Sequence, residues 1–136
     1  MTLTDAGPLV ALINADDQFH TQCADVLVNL PEAPLLTTLV CFTEAMYLLG
    51  RIGRFQYQDE LWRWYSEEKL QLHDSTPAEL RRMRQLMSQY EDTPMDLADA
   101  SLVAAAETLG ERRLFTLDSD FYVYRLEDGS ALDIVS

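Results

Sequence analysis

The chain has 136 residues, of which 48% are hydrophobic, and a formal net charge of -13. This length allows one domain with a hydrophobic core and leaves no room for a second. No apolar stretch is long enough to cross a bilayer, and the segment Met1 to Ala11 lacks the basic and apolar regions of a signal peptide. We therefore predict a single domain, residues 1–136, located in the cytoplasm and without a membrane partner.

In chain order, short apolar runs predict five buried strands, and most of them are too short to be helices. The runs are Met1–Thr4, Leu35–Thr37, Lys69–His73, Arg113–Thr116 and Ala131–Val135. Between the strands lie segments with helical periodicity. Phe19, Cys23, Val26, Leu27 and Leu30 share one face of the first of them, and Leu80, Met83, Met87 and Tyr90 share one face of another.

A third helix is predicted from its end signals. Thr93 can cap it, Pro94 suits its first position, and Asp96 completes a pattern like a capping box. The helix should run to about Leu109, where Gly110 stops it. Strands that alternate with helices predict an α/β sandwich with a parallel sheet, because each crossover needs a helix to return the chain.

Few residues are available for thiol or zinc chemistry. Cys23 and Cys41 each lie in an apolar, helix-like context that suits a buried, reduced thiol. His20 and His73 are far apart and belong to no zinc-binding spacing. A metal ion would therefore be held by oxygen ligands, which indicates magnesium or manganese.

Four acidic residues are placed by the predicted elements at one edge of the sheet. Asp5 follows the first strand, Glu44 lies one turn into the helix after the second, and Asp118 follows the fourth. Asp99 is near the start of the helix before the fourth strand, which also faces the carboxyl ends of the strands. Ligands of open α/β sheets bind at this edge. Carboxylates ~4 Å apart repel by roughly 4 kcal/mol at an effective dielectric of ~20, so a cation is expected, and Mg²⁺ there can activate water for phosphodiester hydrolysis.

Each acid taken alone also has a purely structural interpretation. Asp5 could open a turn, Glu44 could be a solvated helix residue, and Asp118 could cap a short turn. Asp96 is already explained as a capping acid in the first turn of its helix. Asp99 is the hardest to explain this way, because it lies among apolar and small residues where a charge needs a reason.

Four blocks of the sequence resemble, in order, the motifs of PIN-domain VapC toxins, the toxin half of bacterial VapBC toxin–antitoxin pairs. The blocks are Thr4–Leu12, Thr43–Ala45, Met95–Ala100 and Phe115–Phe121. Together they span nearly the whole chain. The resemblance implies a three-layer α/β/α sandwich with a central, mostly parallel five-stranded sheet, and a Mg²⁺- or Mn²⁺-dependent endoribonuclease.

The resemblance also implies a metal-binding catalytic quartet, which is Asp5, Glu44, Asp99 and Asp118. Asp96 and the Thr116 hydroxyl are further candidates for the metal site. Gly7 departs from the family pattern, since many relatives carry Asn or Ser there; the departure leaves the quartet intact.

The resemblance further implies three partners, which are an RNA substrate, a VapB-type antitoxin and a second copy of the chain. Phosphate binding usually depends on clusters of Lys and Arg, so a charge of -13 requires a local basic patch or a bridging metal for RNA contact. Arg51 and Arg54 are candidate RNA contacts. Arg81, Arg82 and Arg84 could serve the same end or form a solvated helix face. The net charge suits an antitoxin that inserts basic residues near the acidic site.

The aromatic residues and the acidic motifs each allow an alternative interpretation. Trp62, Trp64 and Tyr65 are expected to pack in the core or a dimer interface instead of stacking on bases. A receiver domain would need a lysine late in the chain, and Lys69 is the only one. The pair Asp118 and Asp120 stands too late for a haloacid-dehalogenase-type phosphatase. The remaining alternative is a catalytically inactive interaction module whose acidic pocket binds a basic partner peptide.

Overall fold

The computed structural model describes residues 1–136 and contains one five-stranded sheet. The strands are β1 (Thr2–Thr4), β2 (Leu35–Thr38), β3 (Leu70–His73), β4 (Arg113–Phe115) and β5 (Asp133–Val135). Their order is β3-β2-β1-β4-β5, and every neighbouring pair is parallel. The predicted α/β class is confirmed, and the sheet is wholly parallel where a mostly parallel one was expected.

Helices cover both faces of the sheet. They are α1 (Ala6–Ile13), α2 (His20–Asn29), α3 (Leu39–Arg51), α4 (Phe55–Ser66), α5 (Pro77–Gln89) and α6 (Leu97–Leu109), with a short 3₁₀ helix at Ser119–Tyr122. Leu3, Leu36 and Leu114 pack with residues of α5 and α6, whereas Leu35 and Leu70 pack with α1, α3 and α4 on the opposite face. Side chains of a strand alternate between faces, so both faces are buried and the molecule has three layers. None of the helices is long and apolar enough to span a membrane.

The start of α6 differs from the prediction. Asp96, and not Thr93, caps the helix: its side chain accepts the N–H of Asp99 at 2.8 Å. Thr93 instead belongs to a turn in which the N–H groups of Thr93 and Met95 both donate to the carbonyl of Tyr90, each at 3.1 Å. The predicted end is confirmed, because Gly110 adopts the left-handed conformation (φ 67°) that terminates many helices.

The order of the strands creates a switch point between β1 and β4. From β1 the chain proceeds to β2 and β3 on one side, then returns to place β4 and β5 on the other. Helices leaving neighbouring strands in opposite directions open a crevice at the carboxyl ends of those strands. The residue after β1, Asp5, donates its backbone N–H to the carbonyl of Phe115 in β4 at 2.9 Å. The crevice therefore lies beside two of the predicted acidic residues, Asp5 and Asp118, which follow β1 and β4.

Candidate functional site

Thr116 joins the two acids that follow β1 and β4. Its hydroxyl donates to Asp5 Oδ2 at 2.8 Å and accepts the backbone N–H of Asp118 at 3.0 Å. Thr116 is only 1% exposed, so this contact is shielded from water. The other oxygen of Asp5 accepts the N–H of Ala6 at 2.8 Å and caps α1. The Asp5 carboxylate is thereby fixed in orientation by two donors.

The two carboxylate oxygens of Asp118 have different environments. Its Oδ1 accepts the N–H of Asp120 at 2.9 Å and caps the 3₁₀ helix. This matches the capping interpretation of the residue taken alone. Its second oxygen accepts no hydrogen bond from the protein, so capping accounts for one oxygen and leaves the other available.

Asp99 lies in the first turn of α6 and is 7% exposed. Its Oδ2 accepts a hydrogen bond from the hydroxyl of Tyr124 at 2.9 Å. No protein donor bonds to its Oδ1, and since no buried side-chain polar atom lacks a partner, this oxygen must reach solvent. Sequence analysis did not identify Tyr124 as a site residue. The feature that could have indicated it is its position three residues after Phe121, which ends the fourth acidic block.

Glu44 lies in the second turn of α3 and is partly buried, and no protein group donates to its carboxylate. The start of α3 is tied to α6, because the hydroxyls of Thr38 and Ser101 are 2.7 Å apart. Thr38 also caps α3 by accepting the N–H of Cys41 at 3.1 Å. This bridge, which the sequence did not reveal, fixes the helix carrying Glu44 against the helix carrying Asp99.

Both cysteines are free and buried, as predicted. The thiol of Cys41 is 3.9 Å from Asp5 Oδ1. Burial, together with the charge of Asp5, raises the pKa of this thiol well above its usual range. Cys41 therefore stays protonated and contributes a neutral, weakly polar wall beside Asp5.

The acidic side chains are close enough for their charges to act on one another. Burial, opposed by hydrogen bonds and reinforced by the charges of Asp118 and Asp96, raises the pKa of Asp5. Burial and the charges of Asp5 and Asp96 raise the pKa of Glu44. Burial, followed by the charge of Asp96, raises the pKa of Asp99 to about 7. None of the five carboxylates forms an ion pair with Lys or Arg.

The donor set suits a hard cation, although the side chains are not arranged as ligands. No three His, Cys, Asp or Glu side chains are grouped so as to hold a single ion in this structure. The groups that converge on the crevice offer only carboxylate and hydroxyl oxygens, which Mg²⁺ and Mn²⁺ prefer. The oxygen donors and the uncompensated negative charge match the chemistry that a divalent ion prefers, without forming a preorganised set of ligands.

The candidate RNA contacts lie on the surface. Arg51 ends α3 and Arg54 immediately precedes α4; both are exposed and neither forms an ion pair. In the second cluster, Arg82 is held by two hydrogen bonds to Glu107 at 2.8 and 3.0 Å. Arg82 therefore ties α5 to α6 and is not free for RNA.

The remaining residues of that cluster, Arg81 and Arg84, are exposed on α5 without an ionic partner. Among the aromatic candidates, Trp62 packs edge-to-face against Phe42, with ring centroids 5.1 Å apart, and stays half exposed. Trp64 is partly buried and donates to Glu60 at 3.1 Å. Each tryptophan side chain is therefore partly buried by contacts within the chain.

The chain is similar to known proteins in structure but not in sequence. No protein-family profile and no curated protein sequence matches the chain. Solved structures do match. VapC20 of Mycobacterium tuberculosis, a toxin that cleaves the sarcin-ricin loop, superposes with a TM-score of 0.83 at 17% identity, covering 90% of this chain and 94% of that one.

Two toxin–antitoxin complexes also contain similar chains. One, from Klebsiella pneumoniae, gives a TM-score of 0.72 at 18% identity and covers 100% of this chain and 97% of that one. The other, VapBC2 of Rickettsia felis bound to a DNA fragment of its promoter, gives 0.68 at 12% identity and covers 99% and 98%. At these identities the likeness establishes the fold, over nearly the full length of each chain.

Proposed function

We propose, from the PIN-domain fold that this chain shares with VapC toxins, that it is a Mg²⁺- or Mn²⁺-dependent endoribonuclease and the toxin of a VapBC-type pair. The observation that carries the proposal is the group of carboxylates at the carboxyl ends of β1 and β4, which has no basic counterion. Buried like charges are unfavourable unless a cation compensates them.

Four carboxylates would hold the ion, and a fifth acid and a hydroxyl stand beside them. The four are Asp5, Glu44, Asp99 and Asp118, with Asp96 and Thr116 adjacent. A bound Mg²⁺ or Mn²⁺ would supply positive charge to the phosphodiester and lower the pKa of a water molecule.

Hydrogen bonds within the chain orient the acidic side chains, and burial sets the protonation of one of them. Thr116 holds Asp5 and the backbone of Asp118 in register, so the acids after β1 and β4 keep a fixed relation. Asp99 has a pKa of about 7, and a nearby cation would favour its ionised form. The site is therefore expected to bind an ion more tightly as the pH rises through neutrality.

Because the protein has a large negative net charge, RNA is expected to contact it only at a small basic patch. Arg51 lies seven residues after Glu44 in α3, which corresponds to about 10 Å along the helix. Arg51 and Arg54 would then contact phosphates beside the scissile bond. VapC20, which has the same fold, cleaves the sarcin-ricin loop. We propose RNA as the substrate class here, without assigning the particular RNA.

The remaining parts of the proposal concern partners and location. Two of the similar chains come from toxin–antitoxin complexes, which supports a VapB-type antitoxin as partner. A net charge of -13 favours a basic antitoxin segment. We further propose a homodimer that acts in the cytoplasm.

The test is cleavage of RNA by the purified, partner-free chain. With Mg²⁺ or Mn²⁺ the wild type should cut RNA internally, and EDTA should stop it. Asp5→Asn removes a charge while keeping a similar shape, and its activity should fall by at least about 100-fold, the scale of losing a main electrostatic group. Asp25→Asn is a matched control, because Asp25 is exposed on α2 and its side chain forms no hydrogen bond with any acid of the site.

Two results would contradict the proposal. Cleavage that persists unchanged in Asp5→Asn would remove the acidic site from the reaction. A wild type that fails to cut RNA but binds a basic peptide, with binding lost in Asp5→Asn, would favour the inactive interaction module instead.

A further inference from the structure

A fully buried tyrosine contacts one acid of the site. Tyr124 lies after the 3₁₀ helix and is 0% exposed. Its hydroxyl donates to Asp99 Oδ2 at 2.9 Å. Among the acids of the site, Asp99 alone accepts a hydrogen bond from a side chain that follows the 3₁₀ helix.

The ring of Tyr124 is held in place by two aromatic neighbours. It packs edge-to-face against Tyr90, at the end of α5, with ring centroids 5.0 Å apart. It packs in the same way against Phe121 of the 3₁₀ helix, at 5.2 Å. Because these contacts come from two different elements, the hydroxyl has little freedom to move away from Asp99.

The hydrogen bond from Tyr124 makes the two carboxylate oxygens of Asp99 inequivalent. Oδ2 accepts the hydrogen bond from the buried Tyr124, so Oδ1 is the oxygen that reaches solvent. The backbone of Asp99 is fixed as well, because its N–H donates to Asp96 Oδ1 at 2.8 Å. Main chain and carboxylate are thus both constrained.

We propose that Tyr124 is a positioning residue for the divalent-ion site, holding the Asp99 carboxylate through Oδ2 so that Oδ1 would be available to an ion. The inference depends on the proposed function, since it assigns Asp99 to an ion. The neutral hydroxyl suits this task. A Lys or Arg in its place would orient the carboxylate equally well but would cancel the charge that attracts the cation.

The test compares two substitutions that each delete one hydroxyl from adjoining rings. Tyr124→Phe removes the donor to Asp99. Tyr90→Phe is the control: its hydroxyl accepts the N–H of Arg125 at 2.9 Å, and its ring touches Tyr124 without contacting any acid of the site. Mn²⁺ binding is measured by calorimetry for both variants and the wild type, with thermal unfolding as a check on folding.

Tyr124→Phe should weaken Mn²⁺ binding by about 10- to 100-fold at unchanged stoichiometry, the usual cost of losing a group that orients a ligand. RNA cleavage by this variant should recover at high Mn²⁺. Tyr90→Phe should bind Mn²⁺ as the wild type does. A purely structural defect would behave differently, because it would lower the fraction of protein that binds and leave the affinity of the rest unchanged.

A double variant asks whether the effect passes through Asp99. In an Asp99→Asn background, adding Tyr124→Phe should change Mn²⁺ affinity no further. Equal affinity of Tyr124→Phe and wild type, or equal losses in Tyr124→Phe and Tyr90→Phe, would overturn the role of Tyr124 alone. A wild type that binds no Mn²⁺ would overturn the proposed function and this inference with it.

Discussion

Asp99 is the residue whose environment departs most from that of an ordinary aspartate. Its neighbours Ala98 and Ala100 are buried, and its own side chain is almost fully enclosed. Burial and the charge of Asp96 hold its pKa at about 7. Folding without a bound cation therefore favours the protonated form of this carboxyl group.

This shift predicts how the stability of the metal-free chain depends on pH. The folded chain binds a proton at Asp99 more tightly than the unfolded chain does, so this contribution is full below about pH 4 and is lost as pH rises through about 7. In EDTA, the melting temperature of Asp99→Asn should fall less between pH 5 and pH 8 than that of the wild type. Circular dichroism melts measure both.

Asp25→Asn serves as the control for removing one negative charge, because Asp25 is exposed on α2. Its pH dependence should follow that of the wild type. If Asp99→Asn shows the same pH dependence as the wild type, Asp99 is ionised in the folded chain across this range.

The sequence predicted the acids and two groups that hold them, Thr116 and Asp96, but not Tyr124 or the Thr38–Ser101 bridge. Asp5 and Asp118 could be placed because each follows a strand, and parallel strands bring their carboxyl ends to one edge. Tyr124 and Ser101 act across 25 and 63 residues of chain, and no local pattern encodes such contacts. Positions fixed by topology were predictable, whereas pairings fixed by tertiary packing were not.

At the scale of elements, the start of α6 shows where a local pattern is ambiguous. A capping residue followed three positions later by an acid occurs twice, at Thr93 with Asp96 and at Asp96 with Asp99. The structure uses the second pair. The strands posed no such ambiguity, because each is a short apolar run between polar segments, and their observed ends lie within two residues of the predicted ones.

The cap at Asp96 predicts that two substitutions there will have different effects. Asn caps a helix about as well as Asp, whereas Ala does not, so Asp96→Asn should be more stable than Asp96→Ala by about 0.5–2 kcal/mol. Both remove the charge that acts on Asp99, so the difference between them isolates the cap. Urea unfolding in EDTA measures it; equal free energies of unfolding would show that α6 does not depend on this cap.

The whole molecule contains 23 acidic residues and 10 Lys and Arg residues. Excess charge of one sign destabilises a compact chain by self-repulsion, and salt relieves it by screening within a Debye length of about 10 Å at 0.1 M. Any salt should therefore stabilise this protein to some degree. A test of ion binding must separate this general screening from occupation of the acidic site.

The comparison that separates them is Mg²⁺ or Mn²⁺ against NaCl at matched ionic strength. Binding to the folded chain alone adds about 2.7 kcal/mol at 100 times Kd, which is roughly 10 °C in melting temperature for a domain of this size. The wild type should gain this increment over NaCl, and Asp99→Asn should gain less while responding equally to NaCl. Asp25→Asn should behave as the wild type with both salts. Equal increments in the wild type and Asp99→Asn would place the ion elsewhere on the acidic surface, because screening acts on all of the charges and only a site depends on one carboxylate.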